Sequence, residues 1–145
     1  MESLEKKYAD LIQALQTFKD AINFRNHTFK NQDLTDATNL MHFCIVRDSV
    51  IQRFEYCYEL LWHYLMLHIE IKHGSFLEFK APAYVFRKAC EIEIIDSTEV
   101  EQALEMTKMR NKTSHIYKEE IADYVAKAAE NHLALMQQLA ARLKP

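Results

Sequence analysis

Between Met109 and Tyr117 the chain reads MRNKTSHIY, which gathers Arg110, Asn111, Ser114, His115 and Tyr117 into one short stretch. A guanidinium offers a rigid bidentate fork for phosphate oxygens. An imidazole titrates near neutrality, so it can take a proton from a 2′-hydroxyl or return one to a leaving oxygen. Arginine and histidine so close together therefore suit work on phosphate esters. In an unbroken helix the two would lie about 140° apart, since each residue advances about 100°. A tightened turn at Thr113 and Ser114 would bring them together. The residue types also allow a purely structural reading, in which Arg110 and Lys112 neutralise a helix C-terminus while Asn111, Thr113, Ser114 and His115 cap and turn the chain. With six arginines and seven histidines in 145 residues, Arg-x4-His arises about 0.3 times by chance. The pair alone decides nothing.

Other reactive side chains read more plainly. Glu55 and Glu59 share a helical face at i, i+4, yet Arg47 and Arg53 lie near enough on the same helix to pair with them as an ordinary charged face. His63, His68 and His73 recur every five residues, which spreads them around a helix instead of converging them as zinc ligands at i, i+4 would be. No metal or other cofactor is expected. Cys44, Cys57 and Cys90 are odd in number and show no CxxC spacing, so they read as reduced, mostly buried thiols.

The net charge of −3 and pI near 6.2 give no global electrostatic footprint for nucleic acid or an anionic membrane. MESLEKKYAD lacks the apolar run of a signal peptide, and the most apolar window, Leu60 to Ile71, is interrupted by His63, His68 and Glu70. The reading is a cytoplasmic protein with no membrane contact.

These residues need elements to hold them, and one glycine with two prolines implies long uninterrupted helices. Leu4, Tyr8, Leu11, Leu15, Phe18 and Ile22 mark a first helix from Ser3 to about Phe24, with Ser3 as its N-cap. Arg25 to Asp36 has no periodicity and reads as a mobile connection. A second helix runs from near Asp36 to Gly74, about 50 Å at 1.5 Å per residue. It carries two apolar stripes, one through Phe43, Val50, Phe54, Leu61 and Leu65, the other through Cys44, Ile51, Tyr58, Trp62 and Ile69. Two stripes predict two partners, the rest of the bundle and a second copy or another protein. The aromatic run Tyr56, Tyr58, Trp62 and Tyr64 reads as core or dimer contact in preference to a base-stacking platform.

Pro82 opens a short third helix ending near Glu93, and Asp96 or Ser97 caps a fourth, with Glu99 placed for its positive end. The last helix spans about Glu119 to Leu143, with Ile121, Val125, Ala128, His132, Leu135 and Leu139 inward. The expected architecture is all-α, an antiparallel up-and-down bundle of four main helices plus a short one, forming a single domain over residues 1–145. MRNKTSHIY then lies at the end of the fourth helix and across the turn into the last.

RNKTSHIY resembles the Arg-polar-x3-His-x-Tyr signature of HEPN domains, and within them the nucleotidyltransferase substrate-binding group. SVIQRFEYCYELLW, Ser49 to Trp62, resembles that group's long-helix pattern in Arg53, Phe54, Glu55, Tyr58, Glu59 and Trp62. The likeness covers about Leu4 to Leu139. It departs in the middle, where EIEII and VEQAL stand in place of a glycine before the Leu-Ile step and a tryptophan on the fourth helix.

The resemblance implies a helical substrate-binding subunit that docks on a separate minimal nucleotidyltransferase supplying the metal and nucleotide site, with Arg110, Ser114 and His115 contacting substrate. It also implies an alternative, a metal-independent HEPN endoribonuclease toxin. There Arg110 would hold the scissile phosphate, His115 would be the acid or base, Asn111 would orient it, and a homodimer would complete the site. The nucleotidyltransferase would be the antitoxin, transferring AMP to Tyr117, where added charge and bulk would block RNA. RNA or a nucleotide is thus a possible partner, and Lys108, Lys112, Lys118 and Arg142 could supply a basic surface. Both versions need Arg110 and His115 to converge on one accessible cleft near a two-fold axis.

Overall fold

In the computed structural model, which describes residues 3–145, Ser3 caps the first helix. Its Oγ accepts from the Lys6 N–H at 3.1 Å, and α1 runs Leu4–Thr28. The helix continues past Phe24 because distant groups hold its last turn. Arg25 donates to the Ala126 carbonyl at 3.3 Å with its guanidinium 5.4 Å over the Phe43 ring, and Asn26 donates to Glu130 at 2.5 Å. Only residues 29–36 connect to α2, Ala37–Lys72, whose N-cap Asp36 accepts from the Asn39 N–H at 3.0 Å. Beyond its end Gly74 takes φ 59°, a left-handed value that costs glycine nothing.

Helix α3 is Pro82–Glu91, with proline in the first turn. It ends in a Schellman arrangement: Ile94 N–H bonds to Ala89 O at 2.9 Å and Glu93 N–H to Cys90 O at 3.0 Å. Glu93 occupies the left-handed position at φ 63°. Helix α4, Ser97–Lys112, opens with a reciprocal capping box in which Asp96 accepts from the Glu99 N–H at 2.8 Å and Glu99 accepts from the Asp96 N–H at 3.0 Å. A 3-10 turn over Thr113–His115 leads to α5, Glu119–Arg142. The fold is all-α, four main helices and the short α3, as the spacing of apolar residues predicts.

Contacts fix the directions. Tyr8 meets Tyr64 and Thr17 meets Tyr56, so α1 and α2 are antiparallel; Phe54 meets His132 and Tyr64 meets Leu143, so α2 and α5 run the same way. Glu99 meets Arg142 and Lys112 meets Tyr124, so α4 opposes α5 and successive main helices alternate in direction. Rings of Phe18, Phe54, Tyr58 and Phe86 follow one another at 6.3 Å from α1 through α2 to α3.

The expectation of a spare stripe on α2 does not survive. Ile51, Tyr58, Trp62 and Ile69 are all buried within the single chain, because α3 and α4 cover the side of α2 that α1 and α5 leave open. The sequence shows how wide the apolar face is but not how many helices of the same chain wrap it. Exposed apolar side chains gather elsewhere, at Phe24 on α1 and Leu40, Met41 and Ile45 at the start of α2.

Among the described residues no helix is long and apolar enough to cross a membrane, and no three His, Cys, Asp or Glu side chains are placed to hold a metal ion. The three cysteines are free, and burial pushes the Cys57 thiol up to about 12.

Candidate functional site

The last turn of α4 delivers Arg110 toward the middle of α2, where the helices cross near Tyr58, whose hydroxyl donates to Thr107 Oγ1 at 2.8 Å. Thr107 in turn donates to the Ala103 carbonyl. Above this buried link the Arg110 guanidinium enters a set of fixed partners. Nη1 lies 3.3 Å from Glu55 Oε2, Nε lies 3.4 Å from Glu59 Oε1, and Nη1 donates to Thr113 Oγ1 at 2.8 Å. Thr113, buried, donates onward to the Arg110 carbonyl at 2.7 Å, so one hydroxyl holds both the side chain and the backbone of the arginine. Glu59 is itself fixed, accepting from the Trp62 indole at 2.9 Å.

The same-helix pairing of Glu55 and Glu59 with Arg47 and Arg53 expected from the sequence does not form. Arg53 donates to the Thr17 carbonyl at 3.0 Å and to Ser49. Arg47, only 3% exposed, reaches Glu119 at 2.5 Å, Asp123 at 3.2 Å and Asp48 at 3.0 Å. Burial alone would lower the Arg47 pKa, but these carboxylates outweigh it and raise it; the same bond holds the Glu119 carboxyl below its ordinary value. Arg47 thereby pins the start of α5 just beyond the motif. The cationic partner of both glutamates is Arg110 of α4, which no spacing along α2 encodes.

The 3-10 turn supplies the tightening that the spacing asked for at Thr113 and Ser114. Ser114 Oγ donates to the Asn111 carbonyl at 3.1 Å, as a turn-forming serine does. His115 is exposed, its ring edge-on to Tyr117 at 6.0 Å between centroids. Arg110 turns inward to Glu55 and Glu59 while His115 faces solvent, so the shared cleft expected of the pair does not form within one chain, and among the described residues no hydrogen bond joins His115 to Arg110 or to Asn111. Tyr117 is 73% exposed.

Of the four basic residues expected to form a surface beside the motif, Arg142 is not there and Lys108 is paired, which leaves Lys112 and Lys118. Lys108 pairs with Glu105 at 2.9 Å, Arg142 pairs with Glu99 at the far end of α5, Lys112 sits 4.8 Å over the Tyr124 ring, and Lys118 lies 6.0 Å from the Tyr117 ring. Thr113, Glu55 and Glu59 are the residues that sequence reasoning did not place at the site. The two glutamates stood inside the second matching block, which was the available signal.

The site is therefore a half-buried guanidinium between two carboxylates, at the crossing of two long helices in an all-α bundle, beside a turn with an exposed histidine and tyrosine. The chain belongs to the family described as nucleotidyltransferase substrate binding protein like, which matches residues 6–145. Among solved structures it is similar to the crystal structure of ttk003001694 from Thermus thermophilus, at 30% identity and a TM-score of 0.73, over 93% of this chain and 99% of that one. A comparison with curated proteins finds no match.

Proposed function

We propose that the chain is the helical substrate-binding subunit of a two-component nucleotidyltransferase and docks on a separate minimal nucleotidyltransferase that supplies the metal and nucleotide site. The observation that carries this reading over RNA cleavage is the pairing of Arg110 with Glu55 and Glu59. A ribonuclease needs that guanidinium for the scissile phosphate. Here the two carboxylates leave the cluster one negative charge in excess, so an incoming phosphate meets repulsion and must displace both. A subunit that orients an acceptor does not need a guanidinium free for a scissile phosphate, and the exposed Ser114 and His115 remain to contact the acceptor without the shared cleft. The exposed Phe24, Met41 and Ile45 supply apolar surface of the kind a protein partner covers.

The exposure of Tyr117 and His115 is the one observation favouring the alternative, a HEPN ribonuclease silenced by AMP transfer to Tyr117. One experiment separates the two. The chain is purified alone and with a co-expressed minimal nucleotidyltransferase, and cellular RNA is incubated with the chain alone, without metal, as wild type, Arg110→Ala and His115→Ala. The expected result is a stable complex by sedimentation and no cutting. Cutting by wild type that both substitutions abolish would establish the ribonuclease, and mass spectrometry of Tyr117 would follow.

A further inference from the structure

Where α1 and α2 run antiparallel, a groove stays open between them. Phe24, Ile45 and Val46 form a ridge in it with a hollow on either side. The larger hollow, about 450 Å³, is closed by Asp20, Ala21, Ser49 and Arg53, and the smaller, about 210 Å³, by Thr28, Phe29, Gln32 and His42. Phe24 is 56% exposed and Ile45 60%, with Met41 one turn before it at 55%. At about 200 Å² for a full side chain these three leave roughly 300 Å² of apolar surface in water, a size of patch that on a monomer is often functional. It suffices for the apolar centre of an interface that buries about 800 Å² on each partner.

The groove and the Arg110 cluster are two ends of one strip. Met41, Ile45, Asp48, Gln52, Glu55 and Glu59 follow one another at spacings of four and three, which sets them on a single face of α2, and all are exposed or half-buried. The strip is acidic. Arg47 alone answers Asp48, Glu119 and Asp123, and Arg110 alone answers Glu55 and Glu59, so the first cluster keeps two negative charges in excess and the second keeps one. No exposed lysine or arginine stands on the strip, and the nearest lysines, Lys112 and Lys118, lie on the turn beyond it over the rings of Tyr124 and Tyr117. In the groove wall Asp20 accepts from the Gln16 amide at 2.9 Å, and among the described residues no cation pairs with it.

We infer that this groove is the docking surface for the nucleotidyltransferase, which brings an apolar knob set among lysines and arginines and lies along α2 toward Glu59. The inference rests on the proposed function and says where that partner sits. An apolar side chain fills the larger hollow beside Phe24, a base pairs with Asp20, and further bases face the acids of the strip. Position favours the same occupant. From Ile45 to Glu55 is about 15 Å along the helix, a span that a domain of about 100 residues, with a radius of gyration near 13 Å, bridges to reach an acceptor held beside the motif. A second copy of this chain laid strip to strip would set acid against acid and supply no cation.

The test is assembly of the purified chain with the co-expressed minimal nucleotidyltransferase, read by sedimentation and by calorimetry at low and high salt. Ile45→Glu is expected to weaken the complex roughly tenfold or more, and added salt to weaken the wild-type complex. Phe76→Ser, at an apolar residue 82% exposed in the loop after α2, is expected to leave it unchanged. Urea midpoints show whether both variants are folded. With p-benzoylphenylalanine in place of Ile45, irradiation is expected to give a product of one copy of each protein. A complex that Ile45→Glu or salt leaves intact, equal loss in Phe76→Ser, or a photoproduct of twice the mass of this chain would overturn the inference and leave the proposed function standing. Absence of any wild-type complex would overturn both.

Discussion

Arg110 of α4 and Glu55 of α2 face each other at 3.3 Å, and this contact, with Glu59 at 3.4 Å, joins the two sequence blocks that resemble a single family. The blocks are far apart in the chain and meet only because α4 crosses α2 where Tyr58 and Thr107 hydrogen-bond. The arginine of the motif is thus a tie between helices.

That tie is measurable. The three charged side chains are 29–41% exposed, so solvent screens them and the coupling between Arg110→Ala and the pair Glu55→Gln, Glu59→Gln in a double-mutant cycle should be about 1 kcal/mol. Thr113→Val should cost more, about 1–2 kcal/mol, because a buried hydroxyl bonded on both sides is lost. Urea unfolding reads both. Coupling near zero would mean that the guanidinium is free in solution and available to phosphate.

Trp62 tests where the second stripe of α2 is spent. It is buried within the chain, and Trp62→Ala should cost about 3–5 kcal/mol of stability without changing the sedimentation of the remaining folded protein. A variant that keeps its stability but changes its assembly state would place the tryptophan in an interface between chains.

What the sequence made legible follows physical locality. Caps at Ser3, Asp36 and Asp96, the proline at the start of α3 and the apolar periods all act within a turn or two, and the helices lie where these signals put them. The end of α1 did not, because Arg25 and Asn26 are held by residues of α2 and α5. The site divides the same way. The turn at Thr113–His115 was visible in its hydroxyl and amide side chains, whereas the Arg110 partners come from another helix and no local spacing encodes them. The apparent surplus of apolar surface on α2 was a matter of counting neighbours, which only the assembled bundle can do.

Two histidines make stability depend on pH. Burial pulls the His132 pKa down, and burial followed by the nearby His73 and Lys72 does the same to His68. Each is neutral when folded and protonates more readily when unfolded, so the unfolded state binds more protons between the two pKa values. Stability is whole above the unfolded value of about 6.5 and falls as pH drops through it toward the depressed folded values. Urea midpoints at about pH 7.5 and 5.5 should therefore differ, and His132→Phe, which keeps a ring on Phe54, should narrow the difference. An unchanged pH slope in both His132→Phe and His68→Phe would rule these groups out as its source.

Glu93 is where the family resemblance and the backbone comment on each other. The segment EIEII stands where the related pattern has a glycine before its Leu-Ile step, and the structure keeps the Schellman end of α3 regardless, with Glu93 at φ 63°. For a residue with a Cβ that conformation costs about 1–2 kcal/mol, while glycine adopts it freely but loses more freedom on folding. The relief exceeds the added entropy, so Glu93→Gly should stabilise the chain by about 0.5–1 kcal/mol. Glu93→Ala, which keeps the Cβ, should give no such gain. A stabilisation of equal size in both variants, read by thermal and urea unfolding, would trace the effect to the lost charge and leave the left-handed backbone without a measurable cost.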